Sequence, residues 1–115
     1  MSDEIIDVPE FMDRVQEDKD LLKELLDIFV EDFDQKRVKL TEAVATKDFE
    51  TIKSIGHSIK GASGNISAKF VRAVCIKLET RGMEKNDSGL EDLLKDLDRE
   101  YDALKKRIVT LKKEL

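Results

Sequence analysis

Apolar residues recur along this chain every three to four positions, in five stretches separated by short polar breaks. The first stretch, near Pro9 to Val15, has an apolar side of Ile5, Val8, Phe11, Met12 and Val15, and its proline suits a first helical turn. The second runs from about Asp20 to Ala45 with Leu22, Leu25, Leu26, Phe29, Phe33, Leu40 and Val44 on one stripe. Asp48 is placed to cap the third, which carries Ile52, Ile55, Ile59 and Ala62 and ends near Ile66. The fourth spans about Ala68 to Glu84. Asn86-Asp87-Ser88-Gly89 is the strongest turn signal in the chain. Beyond it, Leu90, Leu93, Leu94, Leu97, Tyr101, Leu104, Ile108, Leu111 and Leu115 form the last stripe. Four long amphipathic helices on short connections predict an all-α fold, an antiparallel up-and-down four-helix bundle with a short extra N-terminal helix. The whole chain, 1–115, reads as a single domain. The last stripe also fits a coiled-coil dimerisation helix. Its first half fills two apolar positions per turn, as a bundle helix does without a partner, so a monomer is expected.

Composition narrows the function. The chain is 40% hydrophobic, too apolar for a disordered acidic segment, and 41% charged, as helices with solvated outer faces require. Its net charge of −5 argues against nucleic acid or an anionic membrane as partner. No apolar run is long enough to span a bilayer. The acidic start, Met1-Ser2-Asp3-Glu4, lacks the order of a signal peptide, so a cytoplasmic location is expected. Cys75 is alone, on a stripe with Val71, Val74 and Leu78, and reads as a small buried apolar residue. One histidine and one cysteine make a poor metal site, so no metal is expected. Clusters such as Glu31-Asp32 and Asp96-Asp98 read as solvated helix faces. No phosphate loop, nucleotide fingerprint or Ser-His-Asp arrangement is present, and no cofactor is expected.

The candidate chemistry sits in the third helix. His57, the only histidine, begins His57-Ser58-Ile59-Lys60-Gly61-Ala62-Ser63-Gly64-Asn65. At ~100° per residue, Lys60, Gly61 and Gly64 fall within roughly 60° of His57, and the isoleucine stripe lies opposite. His57 is therefore expected to face water on a surface poor in side chains, with Lys60 and Lys53 as neighbouring cations. Interior glycines weaken a helix, so Gly61 and Gly64 suggest a purpose other than folding. An exposed neutral imidazole is a nucleophile, and two lysines favour a bound dianion. The pattern suits an imidazole that accepts a phosphoryl group from another protein.

The stretch from His57 to Ile66 resembles the phosphorylation motif of histidine-containing phosphotransfer (HPt) domains. Leu22 to Phe33 is similar to that family's second helix, Asp48-Phe49-Glu50 to its turn into the histidine helix, and Leu78-Glu79 to the end of the following helix. Many members have glycine ten residues after the histidine, where this chain has Ser67, read here as an N-cap opening the fourth helix. The resemblance implies a phosphorelay intermediate. His57 would accept a phosphoryl group on Nε2 from a receiver-domain aspartate and pass it to another receiver. The residues themselves do not distinguish the two ring nitrogens. Lys60, Gly61, Gly64 and Lys53 would form the binding face. The partners implied are response-regulator receiver domains, one of them within a hybrid histidine kinase in some relays. The receivers would supply magnesium and most catalytic groups, making this chain a phosphocarrier more than an enzyme. Three other readings stand: the histidine-bearing domain of a chemotaxis-type kinase, a purely structural helical bundle, and a relative that binds receivers without accepting phosphate.

Overall fold

A computed structural model describes residues 5–115. The acidic start read against a signal peptide, Met1 to Glu4, lies outside the described residues. Five helices follow in order: α1 (Val8–Arg14), α2 (Lys19–Ala45), α3 (Phe49–Asn65), α4 (Lys69–Glu84) and α5 (Leu90–Glu114). Each lies within about a residue of the stretch that apolar periodicity predicts. α2, α3, α4 and α5 pack as a ring of neighbours, and their short turns make each antiparallel to the next.

The capping chemistry is visible at the helix starts. Asp7, Asp18 and Asp48 accept from Glu10 N, Leu21 N and Thr51 N at 3.1, 3.0 and 3.1 Å. Each such cap contributes about 1 kcal/mol. Asp48 is held twice, because Thr51 Oγ1 also donates to it at 2.7 Å. These bonds hold the Asp48 carboxyl below its usual range, against a small opposing effect of desolvation.

The helix ends share one device. Gln16, Lys47, Ser67 and Lys85 follow α1, α2, α3 and α4 with φ of 57°, 55°, 58° and 53°, the left-handed region that favours glycine. After α3, Ala68 N donates to Ser63 O at 2.8 Å and Ser67 N to Gly64 O at 3.1 Å, the paired bonds of a Schellman end. Ser67 therefore closes α3 rather than opening α4. The N-cap of α4 is Ala68, which offers no side-chain bond. This corrects the N-cap reading of Ser67, and it explains why a glycine suits the position.

The core runs the length of the ring. Ile52, Ile55 and Ile59 of α3, Val71, Val74, Cys75 and Leu78 of α4, and Leu93, Leu97, Leu104, Ile108 and Leu111 of α5 are buried together. The last leucine stripe is thus buried in this chain's own core, except for Leu94 and Leu115, which are partly buried. α1 lies across the α3–α4 turn. Asp7 N donates to Ser67 O at 3.0 Å, Ser67 Oγ donates to Glu10 at 2.7 Å, and Arg14 donates to Gly64 O. No helix among the described residues is long and apolar enough to cross a membrane.

Candidate functional site

His57 stands on the middle of α3 with its side chain 69% exposed. The buried isoleucines lie on the opposite side of the helix, which is why the ring faces solvent. Its Nδ1 lies 2.9 Å from Oε2 of Glu79, on α4. The other carboxylate oxygen of Glu79 accepts from Lys60 Nζ at 2.7 Å. Glu79 is only 16% exposed, so one partly buried carboxylate joins the two site residues of α3.

The protonation states follow from these contacts. The Lys60 ammonium holds the Glu79 carboxyl below its usual range; partial burial opposes this, and the His57 ring adds to the lowering. Glu79 is then a carboxylate near neutral pH and can only accept. Nδ1 must carry the hydrogen. In the neutral form of the ring the lone pair is then on Nε2, the nitrogen not engaged by Glu79, on a side chain that is mostly exposed. The structure thus separates two nitrogens that the bare sequence leaves equivalent.

The other expected site residues fall in different settings. Lys53 pairs with Glu50 at 2.9 Å, one turn toward the start of α3. With Glu50, Ser54, His57, Glu79 and Met83 it lines a shallow depression of about 440 Å³. Lys60 is engaged by Glu79 rather than open to a bound anion. Gly61 faces open space, with no heavy atom within 4 Å of where a Cβ would stand. Gly64 is less bare than expected. A Cβ there would lie 3.4 Å from Arg72 Nε, and Arg14 holds its carbonyl. Lys60, Gly61, Gly64, Arg14 and Arg72 line a second groove of about 710 Å³ between α1, α3 and α4.

Three site features escaped the sequence reading. Glu79 was recognised only as part of a helix end. Ile76 and Met83, three residues before and four after Glu79, are exposed apolar side chains beside it on α4. Gly56 and Gly82 are buried where α3 and α4 touch. A signal for the glycines was present. At ~100° per residue, Gly82 falls within the Val71–Cys75–Leu78 stripe and Gly56 at the edge of the isoleucine stripe. A glycine on an apolar stripe marks close helix packing. Ser58, next to His57, accepts from Lys36 Nζ of α2 at 2.6 Å, which ties the neighbouring helix to this level of the bundle.

The fold and site are those of a helical bundle that presents one exposed histidine, bonded to a carboxylate from the adjacent helix. The comparisons give the family. The Hpt domain model matches residues 24–107, and the chain belongs to the Hpt domain family. Histidine-containing phosphotransfer protein 2 of Arabidopsis thaliana is 29% identical over 92 residues, which cover 77% of this chain and 59% of that protein. The chain thus spans about three-fifths of that relative's length. The crystal structure of histidine-containing phosphotransfer protein B (HptB) from Pseudomonas aeruginosa PAO1 superposes with a TM-score of 0.91 over 99% of both chains, at 22% identity. That likeness is one of fold.

Proposed function

We propose that this chain is a phosphorelay intermediate, accepting a phosphoryl group on His57 Nε2 from a receiver-domain aspartate and returning it to another. The observation that carries the reading is the bond between His57 Nδ1 and Glu79, which leaves the lone pair on Nε2. In the forward step Nε2 attacks phosphorus, the bond from phosphorus to the aspartate oxygen breaks, and aspartate leaves as a carboxylate. No proton is released. Nδ1 keeps its hydrogen, and the ring gains positive charge that the fixed Glu79 carboxylate stabilises. In the return step the ring departs as neutral imidazole, a good leaving group, so one arrangement serves both directions.

Lys60 supports this by keeping Glu79 ionised and in place. The partners that fit are receiver domains of response regulators, docking over His57 with Gly61 as clearance and Ile76 and Met83 as apolar contacts. The receiver supplies the remaining charge neutralisation and the in-line geometry on which phosphoryl transfer depends. The chain is then a carrier, with most catalytic groups on its partner.

The test is incubation with receiver domains phosphorylated by acetyl phosphate, followed by detection of acid-labile phosphate on this chain. Wild type should be labelled, and His57→Gln should carry no label while keeping its helical content. Label persisting on His57→Gln, or its absence from wild type across all receivers tried, would overturn the reading. Lys60→Ala should slow transfer about tenfold, the effect of losing one charge-assisted contact.

A further inference from the structure

α3 and α4 meet closely because each places a glycine against the other's backbone. A Cβ on Gly56 would stand 2.8 Å from Glu79 N and 3.2 Å from Cys75 O. A Cβ on Gly82 would stand 2.6 Å from Lys53 N and 2.8 Å from Lys53 Cα. These obstacles are backbone atoms of a packed helix and cannot swing aside. The two contacts form one antiparallel register, three residues apart on each helix. Gly56 immediately precedes His57, and the backbone resting on Gly56 is that of Glu79.

We infer that Gly56 and Gly82 are positioning residues for phosphotransfer, setting the α3–α4 spacing that brings the Glu79 carboxylate to His57 Nδ1. Ordinary carbon contacts lie at about 3.5–4.0 Å, so a methyl group at either glycine would part the helices by about 1 Å. A glutamate with one partner could follow such a shift. Glu79 has two partners on α3, one for each oxygen, at 2.9 and 2.7 Å. It cannot keep both when its helix moves away. Interior glycine weakens a helix, so the bundle retains two unfavourable residues at the one level where the dyad needs them. Glu79 fixes the tautomer, and the glycines fix Glu79.

The experiment compares Gly56→Ala, Gly82→Ala, Glu79→Gln and the Gly82→Ala/Glu79→Gln double variant, with Phe33→Leu as a core substitution between α2 and α5. The first readout is the His57 tautomer, from long-range proton–nitrogen correlation spectra of the unphosphorylated protein. The second is the transfer rate from a receiver domain phosphorylated with acetyl phosphate. Gly82→Ala should lower the Nδ1-protonated fraction to the level of Glu79→Gln, and the double variant should go no lower. Transfer should fall about tenfold in each single variant and no further in the double. Phe33→Leu should leave the tautomer unchanged. A folded Gly82→Ala or Gly56→Ala protein with the wild-type tautomer would overturn the assignment. So would additive effects in the double variant, or a shifted tautomer in Phe33→Leu. Failure of both glycine variants to fold, read by circular dichroism, would overturn it as well, since the glycines would then serve folding alone. The transfer arm rests on the relay reading and the tautomer arm does not. A wild-type protein that takes no phosphate, with the tautomer still shifted in Gly82→Ala, would sink the relay and leave the positioning intact.

Discussion

The bundle joins its helices by opposite means on its two sides. α3 and α4 touch backbone to backbone through Gly56 and Gly82. α2 and α5 are held apart by large side chains. Phe33 and Tyr101 stack with ring centroids 3.7 Å apart, and Phe29 lies 5.9 Å from Phe33. Tyr101 OH donates to Asp34 at 2.7 Å, and burial together with that carboxylate pushes the phenol's pKa well up. Arg37 grips Asp98 with two bonds, at 2.7 and 2.9 Å. The aromatic side contributes buried area and stability. The glycine side also buries Ile52, Ile55, Ile59, Val74, Cys75 and Leu78, and its close approach brings a carboxylate and an imidazole from separate helices within hydrogen-bonding distance. The candidate chemistry thereby sits on the close-packed side and the aromatic stack on the other.

The largest expected effect tests that division on the aromatic side. Phe33 is buried against Phe29 and Tyr101, so Phe33→Ala should cost about 3–5 kcal/mol, measured by urea unfolding. The folded fraction should still show His57 with Nδ1 protonated. A much smaller loss would mean that the α2–α5 side collapses readily around the gap.

Next come the glycines. Gly61 has open space around it, so Gly61→Ala should raise stability by about 0.5–1 kcal/mol through helix propensity alone. Gly56→Ala should lower stability despite the same propensity gain, because its methyl group meets Glu79 backbone. Thermal unfolding of the two variants should move in opposite directions. Shifts of the same sign would remove the distinction between outward and inward glycines.

These contrasts show what a sequence can and cannot reveal here. The stripe of α5 was legible because leucines at helical spacing have few other uses, and Asp48 was legible because capping is local. His57 stood out by its uniqueness and by the apolar stripe opposite it. Glu79 did not, since on its own helix it is one more carboxylate at the edge of an apolar face. Its meaning depends on the register between α3 and α4, which no single helix encodes. Gly56 and Gly82 carried that register on the core side of their helices, whereas Gly61, on the face of His57, meets open space. Ser67 was misplaced because its residue type favours a cap, whereas the local bonds put it at φ 58°.

The left-handed helix ends predict a smaller effect. Lys47 and Lys85 occupy that region with exposed side chains, so Lys85→Gly should stabilise the protein by about 1 kcal/mol and Lys47→Gly by slightly less, since it gives up a surface ion pair with Asp87 at 3.0 Å. Ser67→Gly should gain less. The glycine relieves the same backbone, but the 2.7 Å bond from Ser67 to Glu10 is lost, and with it part of the hold on α1. Equal gains at Ser67 and Lys85, by thermal unfolding, would show that this bond contributes nothing.

The smallest effect is a dependence on pH, and it sets the dyad against the aromatic side once more. Glu79 has a carboxyl pKa below its usual 4.5 in the folded chain, because it accepts from Lys60 and then from His57. A group with a depressed folded pKa stabilises the protein above its unfolded value and loses that contribution as pH falls through the folded one. Wild type should therefore be more stable than Glu79→Gln at pH 6. The difference should hold down to about the unfolded carboxyl value, shrink as the pH falls further, and vanish in strong acid. Phe33→Leu removes no titrating group, so its destabilisation should stay nearly constant over the same range. A difference between wild type and Glu79→Gln that is flat from pH 6 to strong acid would mean that Glu79 acts through packing, with no charge held between Lys60 and His57.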